Sequence, residues 1–364
     1  MSTYPTIPFE PQKHMAAFLH FIEKVRGSEK FANRKQAYDW LHSDFPLMER
    51  SPLRFIVMDG ERVAGSMGHL PADYMIKGEK TPVRITHDLL VDQDYRGKGL
   101  ARQLVDNAIS KGDFFPGGMW MTVPCYKIHR SCGFDDIVAP RTRTLILDPK
   151  AFALHQNYHF AKRAVAQKVL GVIRSRAVKK ASATRKRSTG GLSLREIREF
   201  NSHLDGIWIP LLSSYDITAC RDAAFLNWKY AHHPIVRYRI LLAERNGKAT
   251  GYLVWRLPYS REQKNRAVIV DYLVERGDAE TFRAMVSAVI LEASEKSVET
   301  LSIMTTQSWA VKLIKALGFL TSRGKHTWVV ANWERYIPRD WLNNYDHWHI
   351  CLGDSDGDYW AGGQ

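Results

Sequence analysis

The stretch that most constrains this chain is His87–Ile109, HDLLVDQDYRGKGLARQLVDNAI. Its apolar run Leu89-Leu90-Val91 predicts a buried strand, and Asp92-Gln93-Asp94 a polar turn. Arg96-Gly97-Lys98-Gly99-Leu100-Ala101 follows, after which Leu100, Leu104, Val105 and Ala108 fall on one helical face. A strand, a glycine-rich turn and a helix start together present free backbone N–H groups and the positive end of a helix dipole. That arrangement suits a pyrophosphate. Gly97 and Gly99 let the backbone approach without a Cβ, while Arg96 and Lys98 add positive charge. A βα loop serving chain geometry alone is the competing reading. The spacing is neither that of a Walker loop nor that of G-x-G-x-x-G.

The motif resembles the acyl-CoA pyrophosphate loop of the GNAT acetyltransferase superfamily, Arg/Gln-x-x-Gly-x-Gly/Ala, which Arg96, Gly99 and Ala101 fit. A second motif of that superfamily is expected one βα unit downstream. There, Met119–Val123 reads as a strand, Tyr126–Ser131 as a short helix and Gly133-Phe134 as a Gly-Phe stop. The resemblance implies a mixed, mostly antiparallel sheet with helices on both sides. It also implies an acyl-CoA co-substrate, acetyl-CoA first, whose thioester is attacked directly by an amine. Backbone groups of Leu89, Leu90 and Val91 would pair with the pantetheine arm, and Arg96, Gly97, Lys98, Gly99, Leu100 and Ala101 would hold the pyrophosphate. The reaction needs an acid for the departing thiolate and a base for the ammonium. Many family members place a tyrosine four residues before the Gly-Phe as the acid. Here that position is His129, and Tyr126, one turn earlier, is the substitute candidate. The candidate base is His87, read as sharing a strand face with Leu89 and Val91, with Asp88 on the other face. A structural role is the competing reading for His87, and a surface position for His129.

With 364 residues the chain has room for two ordinary domains. A net charge of +14 points to an anionic partner such as a nucleotide-like cofactor, a nucleic acid or a membrane surface. Cys125, Cys132, Cys220 and Cys351 show no metal-ligand spacing, so they read as thiols of a reducing compartment with no metal. The first residues, MSTYPTIPFE, lack a signal pattern, and no run approaches a membrane span. The expected location is the cytoplasm, or peripheral to the inner face of the membrane.

The sequence divides into a GNAT-like domain over 1–149, a basic helical connector over 150–191 and a second GNAT-like domain over 192–364. The first domain is expected to end on a closing strand, Thr142–Leu147. No acidic residue lies between Asp148 and Glu196, whereas Lys162, Arg163, Lys168, Arg174, Arg176, Lys179, Lys180, Arg185, Lys186 and Arg187 supply positive charge. Leu154, Tyr158, Ala161, Val165, Val169 and Val172 recur at three and four, which predicts an amphipathic helix. Two readings follow: a solvated spacer, or a segment (162–187) that lies on an anionic membrane surface. Nucleic acid is the weaker partner, because no recognised module accompanies the charge.

The second domain repeats the order hairpin, strand, helix, strand, helix, Gly-Phe and strand, ending with Thr327–Ala331. Its glycine turn has become Arg276-Gly277-Asp278-Ala279-Glu280, where carboxylates would repel a pyrophosphate. Arg221–Pro234 (RDAAFLNWKYAHHP) resembles a segment of GNAT-like proteins encoded with bacterial surface-polysaccharide machinery, with a packed structural helix as the alternative. Asp354-Ser355-Asp356-Gly357-Asp358 reads as a polar tail rather than a calcium loop. The expected fold is therefore α/β with a mixed sheet, in two tandem GNAT-like domains joined by the basic helix. The expected activity is an acyl-CoA-dependent N-acyltransferase acting on a small amine, such as an amino sugar or polysaccharide precursor. The alternatives are a non-catalytic acyl-CoA-binding or membrane-docked assembly protein, and a FemABX-like aminoacyltransferase.

Overall fold

Glycine-bearing turns fold the N-terminal part into a meander. The computed structural model describes residues 4–355 except 28–30, 51, 111, 118–120, 157–158, 188–190, 259–264, 323 and 325–326. β1 (Thr6–Pro8) pairs antiparallel with β2 (Arg54–Asp59), which returns through Gly60 into β3 (Arg62–Ile76). β3 turns through Lys77 and Gly78, at φ 52° and 81°, into β4 (Glu79–Val91). Two successive positive φ values match the twist of paired strands, and glycine takes the second at no steric cost. From the sequence, Val63–Leu70 and Tyr74–Ile76 each read as a separate strand. They form one, because the ladder with β4 runs on through Pro71, Ala72 and Asp73.

β4 pairs in parallel with β5 (Phe115–Gly117) at Thr86↔Gly117. The expected strand Met119–Val123 is corrected: β5 lies earlier, where Phe114 and Phe115 fill the core, and Val123 already begins a helix. Residues 119–120 lie outside the described residues. Next to β5 comes a strand from late in the chain, Val329–Ala331, which also pairs with β6 (Asp135–Asp136). Four helices flank this sheet: α1 (Pro11–Arg26), α2 (Phe31–Ser43), α3 (Leu100–Ile109) and α4 (Val123–Ser131). Leu100, Leu104, Val105 and Ala108, the face read from the sequence, are the buried residues of α3 and pack with Phe55, Val57 and Met67. Described residues up to 139, with 327–344, form this first compact unit.

The second unit holds 140–324 and 345–354. In chain order it contains β7 (Thr142–Ile146), α5 (Pro149–His155), α6 (Phe160–Arg187), β8 (Leu192–Ile197), α7 (Asp205–Ser213), β9 (Ile217–Ala219) and α8 (Ala223–Leu226). There follow β10 (Tyr238–Arg245), β11 (Lys248–Arg256), β12 (Arg266–Val274), α9 (Ala279–Glu295), β13 (Thr300–Met304), α10 (Ser308–Ala316) and β14 (Leu320–Thr321). Its sheet runs β14-β7-β13-β12-β11-β10-β8. This corrects the expected domain ends. Thr142–Ile146 does not close the first sheet, but pairs with β13 from Thr300↔Ile146 to Met304↔Thr142. Conversely, Val329–Ala331, expected in the second sheet, belongs to the first. Each sheet is completed by a strand from the other half of the sequence.

The basic segment is likewise no free connector. Ala177 and Ala181 of α6 are buried in the second unit's core, with Ile173 and Val178 against it. Alanines let the helix lie close, so the core is met there and not through the expected stripe. Leu154, Val165, Val169 and Val172 of that stripe are exposed, and Tyr158 lies outside the described residues.

The segment Arg221–Pro234 is structural within this unit. Arg221 is fully buried and donates to Asp271 at 3.1 Å and to both oxygens of Asp354 at 2.8 and 2.9 Å. The Tyr230 hydroxyl donates to Asp271 at 3.0 Å, and Lys229 donates to the Gly353 carbonyl. Asp354 is therefore a buried counter-ion and not the start of a solvated tail, while residues 356–358 lie outside the described residues.

Candidate active site

The centre of the first sheet is irregular where the motif begins. The β3–β4 register shifts between Ser66↔Leu90 and Gly68↔His87, and Asp88 takes a left-handed φ of 54°. An extra residue in one strand bends it and breaks the alternation of faces. Leu89 and Val91 pack towards the α3 side, with Tyr126 of α4 in the same apolar cluster. His87 instead lies over Gly68, where a Cβ would come within 2.1 Å of its Nε2. The expected shared face of His87, Leu89 and Val91 is thus corrected, because the bulge intervenes.

Sequence reading missed what holds the bulge. The buried Asp88 carboxylate accepts from Tyr38 and from Arg26 at 2.9 Å, and pairs with Arg54 at 3.5 Å. Arg54 lies 4.7 Å from the Phe18 ring centroid and donates to Ser66 at 2.7 Å. Burial pushes the Asp88 carboxyl up, but Arg54, then Arg26 and the Tyr38 hydroxyl outweigh it and hold its pKa at about 2. An aspartate immediately before an apolar strand run was the only signal.

Beyond Asp88, Leu89, Leu90 and Val91 are half-buried rather than buried, although they continue a central strand. The next turn is fastened below: Lys24 donates to Asp92 at 2.7 Å and to Asp94 at 2.6 Å, and the Tyr95 hydroxyl to Asp59 at 2.6 Å. Above these anchors Arg96, Gly97, Lys98 and Gly99 are exposed. Gly97 and Gly99 have φ of 79° and 80°, and a Cβ on either would meet nothing within 4 Å. The glycines therefore serve the left-handed backbone, and they leave an open approach to the N-terminus of α3, whose N-cap is Gly99. Leu100 and Ala101 begin the helix, with Leu100 buried. The loop residues fit an acyl-CoA pyrophosphate: exposed donors, two cations, and no side chain in the way.

Tyr126 is half-buried, and its hydroxyl donates to Asp136 at 3.0 Å. Burial and that carboxylate raise its pKa, so it keeps its proton at neutral pH. His129 is neither at the surface nor alongside the donor strand's contacts. It is 1% exposed, its Nδ1 is 2.8 Å from the Cys125 carbonyl, and its ring meets Phe134 edge-on. Burial lowers its pKa, outweighing that hydrogen bond. His87 is also buried, and among the described residues neither ring nitrogen has a hydrogen-bond partner. Burial, then Arg54, holds it neutral well below the usual histidine range. The structure thus joins Leu89, Val91, Tyr126 and the α3 loop around one cluster, with His87 across the bulge and His129 packed within α4.

The corresponding place in the second unit differs. Asp278 caps α9 by accepting from the Thr281 N–H at 3.0 Å, and Glu280 pairs with Arg245 at 2.8 Å. No group of three His, Cys, Asp or Glu side chains forms a metal site among the described residues, and no helix among them is long and apolar enough to cross a membrane.

Comparison with known proteins agrees with this fold. Residues 19–134 match the Acetyltransferase (GNAT) family. No curated protein matches the sequence significantly. Among solved structures, a GCN5-related N-acetyltransferase from Anabaena variabilis is similar, with TM-score 0.60, 12% identity, and 90% of this chain covering 72% of that one. A probable N-acyltransferase from Enterococcus faecalis gives 0.61 and 11%, over 92% and 75%. Saccharomyces cerevisiae N-myristoyltransferase with bound myristoyl-CoA and inhibitors gives 0.58 and 11%, over 98% and 86%. At such identities the likeness is one of fold. The chain thus has a GNAT-like fold, and the family match covers residues 19–134 of it.

Proposed function

We propose that the chain is an acyl-CoA-dependent N-acyltransferase for a small amine, with acetyl-CoA as donor. One observation carries this reading: the open Arg96–Gly99 turn at the start of α3, beside the half-buried Leu89-Leu90-Val91. An exposed helix N-terminus with two adjacent cations binds a pyrophosphate. Partly uncovered strand residues leave backbone groups for a pantetheine amide. Similar structures include an N-myristoyltransferase that binds myristoyl-CoA.

In this reading the amine lone pair forms the C–N bond as the thioester C–S bond breaks. His87, neutral and without a hydrogen-bond partner among the described residues, takes the proton from nitrogen. Tyr126, which packs against the same apolar cluster as Leu89 and Val91, gives its proton to the departing sulfur. His129 then serves by holding α4 in shape through Cys125. Within the Arg221–Pro234 segment, Arg221 and Tyr230 are spent on Asp271 and Asp354 and Lys229 on the Gly353 carbonyl, so these groups are not available to an acceptor. An amino sugar therefore stands as one member of the amine class to be screened. The second unit contributes no donor site in this reading, since Asp278 occupies its helix N-terminus.

The test is calorimetry with acetyl-CoA. One site per chain is expected, and Gly99→Asp is expected to abolish it by placing a side chain and a negative charge at the phosphate position. Two equal sites, or unchanged affinity in the variant, would refute the assignment. A panel of amines with acetyl-CoA, read by released thiol, then identifies the acceptor.

A further inference from the structure

Helix α6 meets the second unit's core along one side only. Ala177 and Ala181 are buried there, and Ile173 packs beside them. On the other side Val165, Val169 and Val172 are 65%, 53% and 47% exposed. Their spacing of four and three places them in one line along the helix. Lys162, Lys168, Arg176 and Lys179 are exposed as well, each three or four residues from one of these valines or from each other. With 3.6 residues per turn, all four cations flank the valine line rather than oppose it. Single exposed valines are ordinary. Here three stand in a row, with Leu154 of α5 52% exposed just ahead of them, in a segment with no acidic residue between Asp148 and Glu196.

This combination selects its partner. A purely apolar groove would not call for flanking cations, and a nucleic acid would not call for valines. The boundary between acyl chains and phosphate head groups calls for both: apolar side chains enter the boundary, while lysine stems lie along it and their ammonium groups reach the phosphates. We propose that α6 docks flat on an anionic lipid surface through Val165, Val169 and Val172, with Lys162, Lys168, Arg176 and Lys179 at the head groups. The proposal is independent of the acyltransferase reading.

The experiment is cosedimentation of the full chain with phosphatidylcholine vesicles containing or lacking phosphatidylserine. Two variants join it: Val165→Ser/Val169→Ser/Val172→Ser, and Lys162→Gln/Lys168→Gln/Arg176→Gln/Lys179→Gln. All altered side chains are exposed, so circular dichroism should show unchanged helix content. Binding is expected only with phosphatidylserine, weakening as salt rises. The charge variant should lose about a thousandfold in partitioning, and the valine variant on the order of a hundredfold. Absence of binding by the parent chain overturns the proposal. So does binding that ignores the valine substitutions, particularly if duplex nucleic acid competes with vesicles. A dimer in sedimentation that dissociates in the valine variant would assign the face to a second copy and equally overturn it.

Discussion

Asp88 shows how one residue can decide what its neighbours do. Its left-handed backbone is unfavourable for most side chains, and two donors and the Arg54 cation around its carboxylate keep it there. The bulge turns His87 onto Gly68, which has space only because it lacks a Cβ. Gly68→Ala should therefore cost about 1–3 kcal/mol of stability by overpacking. Adding His87→Ala should recover most of that loss, since the clash needs both partners. Urea denaturation of the singles and the double decides it, and strictly additive losses would show that the two sites do not communicate. Both single variants should also lower turnover while leaving acetyl-CoA affinity nearly unchanged. His87 was visible in the sequence as a candidate, but its orientation was not. Alternation assigns faces only while the register is unbroken, and nothing local announces the shift between Ser66 and Gly68.

Among the elements, those closed by local chemistry were legible. The turns at Lys77-Gly78 and Asn246-Gly247, the apolar face of α3 and the Gly-Phe stops each depend on a few adjacent residues. Partner choice was not legible. Thr142–Ile146 reads as a strand from its own alternation, but its partner β13 lies some 158 residues away, as the Thr144–Ser302 hydroxyl contact at 3.0 Å shows. The segment around α8 is similar: its aromatic and basic density was plain, while its buried counter-ions, Asp271 and Asp354, are remote in sequence. Arg221→Met would leave two carboxylates buried without their cation. It should cost about 3–5 kcal/mol, read as a drop in the thermal midpoint. A loss below about 1 kcal/mol would mean that the aspartates reach water or take up protons cheaply.

The whole molecule carries a pH signature. His87 in one unit and His349 in the other are buried and held neutral, chiefly by burial and then by a neighbouring arginine, well below their ordinary 6.5. The unfolded chain takes up protons at those histidines that the folded chain refuses, so stability is full above about pH 6.5 and falls as pH drops below it. His349→Gln should flatten the acid side of the stability curve by up to about 1.4 kcal/mol per pH unit. Unfolding midpoints measured between about pH 7 and 5 would test this, and an unchanged slope would place the titration elsewhere. The exchange of strands between the two halves has a consequence in time. Residues up to 139 leave the ribosome first, but the place between β5 and β6 stays empty until Val329–Ala331 is made. At about 5–20 residues per second this leaves an open sheet edge for on the order of 10–40 s. Arrested nascent chains that end before residue 329 should be cut readily by protease within the first unit, whereas chains extended past 344 should resist. Every copy of this protein thus passes through an interval in which its first sheet is translated but unfinished, and in which an exposed strand edge needs a chaperone or a low concentration to stay single.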